Sequence, residues 1–262
     1  MATGEFVSMT AVDVTTLHLH GAVDRAFSGP TSVDHLLPLR LVELSEDSSV
    51  KYLALGPDRK PLAFVAISPA DYPQAVADGW RVTADIKRKL SQKTGSVILD
   101  QLADGEIDGR TYSVTPYRPS ISSWRPLRFV QRVALTKRVW RWLHQVAAET
   151  QHVANDAELE PRVARPLRRL IKDAAVAEQV RTRAEQAYAA LLAGTWRPRL
   201  SVCHADIWEG NVLRAYGGTP FGMHVIDWGG AQVDGHAIYD WIRLGKPRGI
   251  SKSRYRGELA QV

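Results

Sequence analysis

Alternating apolar and polar positions mark the first part of the chain. Val50–Leu55 and Leu62–Ile67 alternate on either side of the turn sequence Gly56–Lys60, as strands of a hairpin do. Ala70–Leu90 has helical character. Three apolar-rich runs predict further strands: Leu39–Leu44, Ser96–Leu99 and Arg110–Thr115, the last two flanking an acidic turn at Asp104–Gly109. We therefore expect a small sheet with one helix.

The second part of the chain changes to helical spacing. Pro116–Pro126 contains three prolines and three serines and predicts an extended hinge. Leu127–Gln151 has apolar residues three and four apart, and residues 166–193 form a helical segment ending at Gly194. The predicted fold class is α+β, with three parts: an N-terminal extension (1–29), a β-rich N-lobe (30–116) and a mostly helical C-lobe (117–262).

Charge and composition narrow the function classes. The 262 residues are 45% hydrophobic and 24% charged, which excludes disorder as the dominant state. The net charge is +6, and residues 121–199 alone carry an excess of +8. This excess predicts either attraction of an anionic substrate or surface, or solvated arginine-rich helix faces. No nucleic-acid recognition motif accompanies it, so we expect no nucleic-acid partner.

Cellular location is predicted from cysteine content and apolar runs. Cys203 is the only cysteine, which excludes an internal disulfide and favours a cytoplasmic setting. The apolar runs are too short for a membrane span, so we expect no stable membrane insertion. Met1–Met9 has no Lys or Arg, unlike a secretory signal. The pattern predicts no particular oligomeric state.

The chemistry-bearing residues follow predicted short strands in the last quarter of the chain. Strand Leu200–Cys203 leads into loop 204–211, whose sequence is HADIWEGN. Val212–Arg214 and Gly222–Ile226 then predict a hairpin, which returns the chain to the loop and brings Asp227 beside it. Phosphoryl transfer needs such a group of side chains: a carboxylate that meets the acceptor hydroxyl, and oxygen ligands for Mg²⁺.

This arrangement resembles the aminoglycoside phosphotransferase and choline kinase-like family. The shared features are His-x-Asp-x-x-x-x-Asn in residues 204–211, the hairpin, and Ile-Asp-Trp at 226–228. The resemblance implies a two-lobed protein-kinase-like fold, with ATP or GTP and Mg²⁺ as cofactors. It implies these roles: Asp206 as the catalytic aspartate, Asn211 and Asp227 as Mg²⁺ ligands, and Asp240 as a buried brace for the loop.

Two features favour a small-molecule kinase over a protein kinase. Position 205 is Ala, where regulated protein kinases commonly carry an Arg that binds an activation-loop phosphate. Only 13 residues lead from Asp227 to Asp240, too few for a long peptide-docking segment. The expected partners are therefore a nucleotide and a small-molecule hydroxyl acceptor.

The nucleotide-binding residues depart from the family pattern. The family carries a phosphate-binding Lys at the end of the third strand, where this chain has Ser68, and Lys51 on the preceding strand is a candidate replacement. The loop Ser45–Ser49 lacks glycine and contains two acidic residues. The full set of expected nucleotide contacts is Ala66, Ser68, Lys51, Ser48, Ser49, Pro116 and Tyr117.

These departures leave two functions open. The first is transfer of the terminal phosphoryl group of ATP or GTP to a sugar, or to an anionic sugar-like or lipid-linked compound. An aminoglycoside acceptor is disfavoured because these polycations prefer acidic clefts and the helical part is basic. The second is a catalytically inactive nucleotide-binding or scaffold protein. Only 22 residues follow Asp240, where the family continues with several helices.

Overall fold

The protein is described by a computed structural model that covers residues 14–27, 32–39, 49–122, 124–215 and 219–245. Its strands are β1 (His35–Leu39), β2 (Val50–Leu55), β3 (Pro61–Ile67), β4 (Ala103–Ile107), β5 (Arg110–Pro116), β6 (His152–Val153), β7 (Arg199–Cys203), β8 (Val212–Arg214), β9 (Met223–Val225) and β10 (Gln232–Gly235). Its helices are α1 (Val14–Ala26), α2 (Ala75–Lys89), α3 (Gln92–Gly95), α4 (Arg125–Thr150), α5 (Asp156–Leu159), α6 (Arg165–Lys172), α7 (Glu178–Leu192) and α8 (Ala237–Gly245). A π-helical turn, Glu160–Ala164, joins α5 to α6, and a 3₁₀ turn, Glu209–Asn211, precedes β8.

An antiparallel sheet forms the first lobe, with strand order β1-β2-β3-β5-β4. Its buried apolar side chains include Ala54 and Val65, which share one core with Leu19 and Val23 of α1. Helix α1 is not predicted by the sequence pattern and lies in the expected N-terminal extension. It is nevertheless part of the core of this lobe.

A second core forms around α4. Trp142, Leu143 and Val146 of this helix are buried together with apolar residues of β7, β8 and β9. Strand β7 pairs with β6 and β10, and β8 pairs with β9. Ile86 of α2 and Ile98 belong to the same core. The start of α2 is also hydrogen-bonded to Ser68 and to Thr111 of β5, so α2 contacts both lobes. The lobe boundary at 116/117 stays a prediction. No described helix is long and apolar enough to cross a membrane.

Most predicted elements match the structure. Strand β2 has the predicted bounds, and β3 and β5 are each one residue longer than predicted. Helix α4 begins two residues earlier than predicted, and the predicted helical segment 166–193 contains most of α6 and all of α7, with residues 173–177 between them. Gly194 follows α7 with φ of 68°, the left-handed conformation that ends many helices. The predicted α+β class is confirmed.

One predicted strand and one helix start need correction. Ser96–Leu99 is not a strand, because within it only Ile98 forms an isolated bridge, to Val225 of β9. The helix predicted from Ala70 begins at Ala75. The segment that precedes this helix is hydrogen-bonded to β5, because the Thr111 backbone N–H donates to the carbonyl oxygen of Pro73. Of predicted strand 39–44, residues 40–44 lie outside the described residues.

The predicted acidic turn Asp104–Gly109 is mostly strand. Strand β4 runs to Ile107, so the turn is reduced to Asp108 and Gly109, with φ of 51° and 74°. Positive φ at both central positions suits the twist of a two-residue hairpin. The acidic residues and the glycine of this segment are typical of a turn, so the sequence pattern did not show that its side chains alternate between more buried and more exposed positions, as in a strand.

Candidate active site

Loop 204–211 is held by Asp240 of α8. The Asp240 carboxylate is 1% exposed and accepts hydrogen bonds from the backbone N–H groups of His204 (2.6 Å) and Ala205 (2.8 Å). Ala205 has φ of 65°, which is unfavourable for a residue with a Cβ, and these charge-assisted bonds offset that cost. Burial raises the pKa of Asp240, and the two N–H donors oppose the shift. This geometry is the brace that the sequence predicts.

His204 joins the loop to the hairpin. Its Nε2 lies 2.9 Å from the carbonyl oxygen of Ile226, which can only accept, so Nε2 carries the proton. Its Nδ1 then accepts from the backbone N–H of Asp206 at 3.3 Å. The buried ring also packs at 4.6 Å from the ring of Trp228. Both ring nitrogens are therefore used in positioning, which leaves His204 no role as a base.

Asp206 and Asn211 lie at the two ends of the loop and contact each other. Asn211 Nδ2 donates to the backbone oxygen of Asp206 at 2.9 Å and lies 3.4 Å from its Oδ2. The Asp206 carboxylate also forms an ion pair with Arg243 of α8, which raises the pKa of Arg243. The Asp206 side chain is 45% exposed. The predicted catalytic aspartate is thus oriented from two sides and open to solvent.

The β8–β9 hairpin brings Asp227 to Asn211. Val212 pairs with Val225, and the backbone N–H of Ile226 donates to the carbonyl of Asn211 at 3.0 Å. Asp227 follows directly, with φ of 68° and an exposed side chain. Asn211 and Asp227 line the same cavity, although they are far apart in the sequence.

The oxygen atoms of these two residues suit a hard divalent cation. Asn211 gives its Nδ2 to Asp206, which leaves the amide oxygen Oδ1 as its free ligand atom. Within the described ranges, neither this oxygen nor the Asp227 carboxylate has a protein hydrogen-bond or ion-pair partner. Amide and carboxylate oxygens are ligands that Mg²⁺ accepts, alongside water and phosphate. The donor set therefore fits the predicted metal.

A cavity of about 370 Å³ extends from Asn211 and Asp227 to the first lobe. Three of the predicted nucleotide contacts line it: Ser49, Lys51 and Ala66. Lys51 is registered opposite Ala66 across β2 and β3. No carboxylate of the described chain lies within ion-pair distance of Lys51, so its ammonium group is not neutralised there by a protein partner.

Ser68 is directed away from this cavity, contrary to the expectation that it faces the nucleotide. It lies beyond the end of β3 and is fully buried. Its Oγ is 2.8 Å from Thr111 Oγ1 and accepts from the backbone N–H of Val76 at 3.0 Å. Ser68 therefore anchors the start of α2 to the sheet.

Two further predicted nucleotide contacts are not placed in the cavity. Pro116 and Tyr117 are not among its lining residues. Tyr117 packs instead against Phe64, which does line it, with ring centroids 5.5 Å apart. Ser48 lies outside the described residues.

Sequence reasoning missed two contributions to the site. Trp80 and Thr83 of α2 line the cavity, and their spacing of three residues on a helix was the available signal. Arg243 was missed although it follows Asp240 by one helical turn. Its pairing with Asp206 depends on how α8 packs against the loop, which local spacing does not show.

The sequence itself matches a family model. The model, described as Phosphotransferase enzyme family, matches residues 46–256. This chain belongs to the phosphotransferase enzyme family. The resemblance predicted from loop 204–211 and the hairpin is thereby confirmed. No curated protein matches the sequence significantly.

Solved structures share the fold of this chain at low sequence identity. A thermostable mutant of aminoglycoside phosphotransferase APH(4)-Ia, in ternary complex with ADP and hygromycin B, is 16% identical with a TM-score of 0.54, covering 95% of this chain and 88% of that one. A Haemophilus somnus protein assigned as a fructosamine-3-kinase is 11% identical with a TM-score of 0.50, covering 93% and 86%. The predicted kinase-like fold is therefore confirmed.

Proposed function

We propose that this family member transfers the terminal phosphoryl group of ATP or GTP to a hydroxyl group of a small-molecule acceptor. The observation that carries the proposal is the contact between Asp206 and Asn211, together with the placement of Asn211 and Asp227 on the wall of one cavity. A buried carboxylate and a histidine with both nitrogens bonded hold the loop that presents Asp206 and Asn211, and the histidine joins this loop to the residue just before Asp227. Such rigid placement is what phosphoryl transfer requires of a protein.

The cavity supplies the nucleotide site. Ala66 and Phe64 offer apolar surface to a base, and Lys51 offers a cation to the phosphates. Asn211 Oδ1 and the Asp227 carboxylate would hold Mg²⁺, which supplies charge neutralisation at the phosphate oxygens. Nucleotide complexes are known among structural neighbours, including the ADP complex of APH(4)-Ia.

Asp206 is the residue that would meet the acceptor. Its carboxylate is exposed, and its backbone is bonded to both Asn211 and His204. A carboxylate in this position orients the acceptor hydroxyl and accepts its proton as the new oxygen–phosphorus bond forms. Trp208, 49% exposed in the same loop, offers a flat surface to an acceptor ring. We expect a sugar, or an anionic sugar-like or lipid-linked compound.

A second candidate is an inactive nucleotide-binding or scaffold protein. It is favoured by Ser68, which replaces the expected lysine and is committed to anchoring α2. The two candidates differ in turnover. Incubation with ATP, Mg²⁺ and a panel of hydroxyl acceptors should yield phosphorylated product detected by mass spectrometry, and Asp206→Ala should slow its formation by about 10²–10⁴-fold. If the protein binds nucleotide but forms no phosphorylated product with any acceptor of the panel, the inactive nucleotide-binding or scaffold protein is favoured.

A further inference from the structure

Helix α8 holds the catalytic loop through two charged residues. Asp240 binds the loop backbone, and Arg243, one turn further along, pairs with the Asp206 carboxylate. The two contacts differ in exposure. Asp240 is buried, whereas the side chains of Arg243 and Asp206 are 47% and 45% exposed. A molecule that approaches from solvent can therefore reach both partners of the Arg243–Asp206 pair.

This pair limits which acceptors fit. An acceptor hydroxyl that binds Asp206 must come within contact distance of the Arg243 guanidinium, because the two side chains touch. The guanidinium has five N–H donors, and in the described chain Asp206 is its one ion-pair partner. The other donors can bind a carboxylate or phosphate in bidentate geometry.

The other carboxylate of the loop is already neutralised. Glu209 pairs with Arg128 (2.8 Å) and Arg132 (2.7 Å) of α4, and its side chain is only 17% exposed. Asp206 and Glu209 together thus face three guanidinium groups. The two carboxylates of loop 204–211 are thus outnumbered by the guanidinium groups paired with them, a balance that favours an anion over a polycation beside the loop.

We infer that the acceptor carries a phosphate or carboxylate group close to the hydroxyl that is phosphorylated, and that Arg243 is the residue that selects it. This inference rests on the proposed function. The anionic group of the acceptor binds the Arg243 guanidinium, and the acceptor hydroxyl donates a hydrogen bond to the Asp206 carboxylate. A cationic acceptor would have to displace Arg243 without replacing its ion pair.

Matched acceptor pairs test this selection. Glycerol is compared with glycerol 3-phosphate and with glycerate, and ribose with ribose 5-phosphate; hygromycin B is the polycation. Binding to the Mg²⁺–AMP-PNP-saturated enzyme and kcat/KM with ATP are both measured. We expect the anionic member to be favoured by about tenfold or more, and Arg243→Gln to bring the ratio of anionic to neutral acceptor close to one in both binding and kcat/KM. The ratio is the readout because Arg243 also orients Asp206, so its loss can lower turnover of both members together. Arg243→Lys should keep part of the preference.

The control is Arg141→Gln, an exposed arginine of α4 that has no role in the site. Equal binding of charged and neutral members, or a preference that survives Arg243→Gln, overturns the inference. A preference in binding and kcat/KM for the phosphorylated acceptors alone, or for the carboxylate alone, shows which of the two anions Arg243 binds. Failure of the proposed function looks different, because the wild type would then produce no phosphorylated product although the anion preference in binding is still measurable.

Discussion

The carboxylate of Asp240 lies 2.6 Å from the backbone nitrogen of His204, although 36 positions separate the two residues in the chain. Through this bond and its companion to Ala205, α8 sets the backbone conformation of the loop that carries Asp206. The geometry of the candidate catalytic loop therefore depends on a residue that does not line the cavity. This dependence can be measured by substitution.

Replacing Asp240 with Asn tests whether Asp240 holds the backbone of loop 204–211, a role distinct from the catalytic role proposed for Asp206. One carboxylate oxygen becomes an NH₂ group, which cannot accept from His204 or Ala205, so one buried N–H loses its partner. We expect a loss of about 1–3 kcal/mol in the free energy of unfolding and a lower kcat. Urea unfolding measures the first. Asp234→Asn is the matched control, because Asp234 pairs with Lys89 at the surface. An equal loss of unfolding free energy in Asp234→Asn would contradict the bracing role of Asp240.

Asp206→Ala tests the catalytic assignment. The side chain does not line the cavity, and Asn211 keeps its shorter bond to the Asp206 backbone oxygen in this variant, so nucleotide affinity should stay near the wild-type value. We expect kcat to fall by about 10²–10⁴-fold, the usual contribution of a positioned general base. Steady-state kinetics with saturating ATP, together with a nucleotide titration, measures both. Wild-type turnover in this variant would show that another residue meets the acceptor.

Lys51→Met tests the nucleotide phosphate contact. Lys51 lines the cavity, and no described carboxylate neutralises it, so its loss should weaken ATP binding by about tenfold. Lys60→Met removes the same side chain from the neighbouring turn, where Lys60 pairs with Asp58 at 2.7 Å in solvent. We expect that control to bind ATP normally. Equal ATP affinity in Lys51→Met and wild type would mean that the phosphates lie elsewhere.

The His152–Glu158 contact predicts a pH dependence of stability. The hydrogen bond to Glu158, 3.0 Å long, raises the pKa of His152. The pKa of Glu158 is lowered, first by the hydrogen bond from the Asn155 backbone N–H and then by the hydrogen bond with the His152 side chain. The His152 contribution is complete below the ordinary histidine value of 6.5 and is lost as pH rises through its raised pKa. The Glu158 contribution is lost as pH falls through its lowered pKa.

Substitution of His152 provides the check. His152→Gln should flatten the fall in the free energy of unfolding across neutral pH, measured by urea denaturation at a series of pH values. A wild-type slope retained in this variant would assign the pH dependence to other groups.

Cys203 should resist modification in the folded protein. The thiol is 3% exposed and burial raises its pKa, so little thiolate is present or accessible at neutral pH. Because it is the only cysteine, alkylation by iodoacetamide reports on β7 directly. We expect slow labelling in buffer and rapid labelling in denaturing urea. Rapid labelling of the native protein would show that β7 opens easily.

The sequence predicted those features that depend on local order along the chain. Asp206, Asn211 and Asp227 are joined by one loop and one short hairpin, so their order and the strand pattern were enough to place them together. Strands β2 and β3 were predicted for the same reason, because alternation and turn residues are local signals.

Features that depend on packing between distant segments were not predictable in this way. Whether Lys51 or Ser68 faces the cavity is decided by strand register and by the hydroxyl of Thr111, 43 positions from Ser68. Helix α1 has a weak amphipathic pattern and gains its burial from the sheet that it covers. Arg243 reaches Asp206 only because α8 is anchored by Asp240.

Asn211 and Asp227 are proposed to form a Mg²⁺-dependent nucleotide site beside Asp206. Calorimetric titration of ATP into the wild type and into Asp227→Ala, with and without Mg²⁺, tests this site. We expect Mg²⁺ to strengthen ATP binding in the wild type and Asp227→Ala to lose most of this enhancement. ATP affinity that is independent of Mg²⁺, or an enhancement that persists in Asp227→Ala, would contradict this proposal.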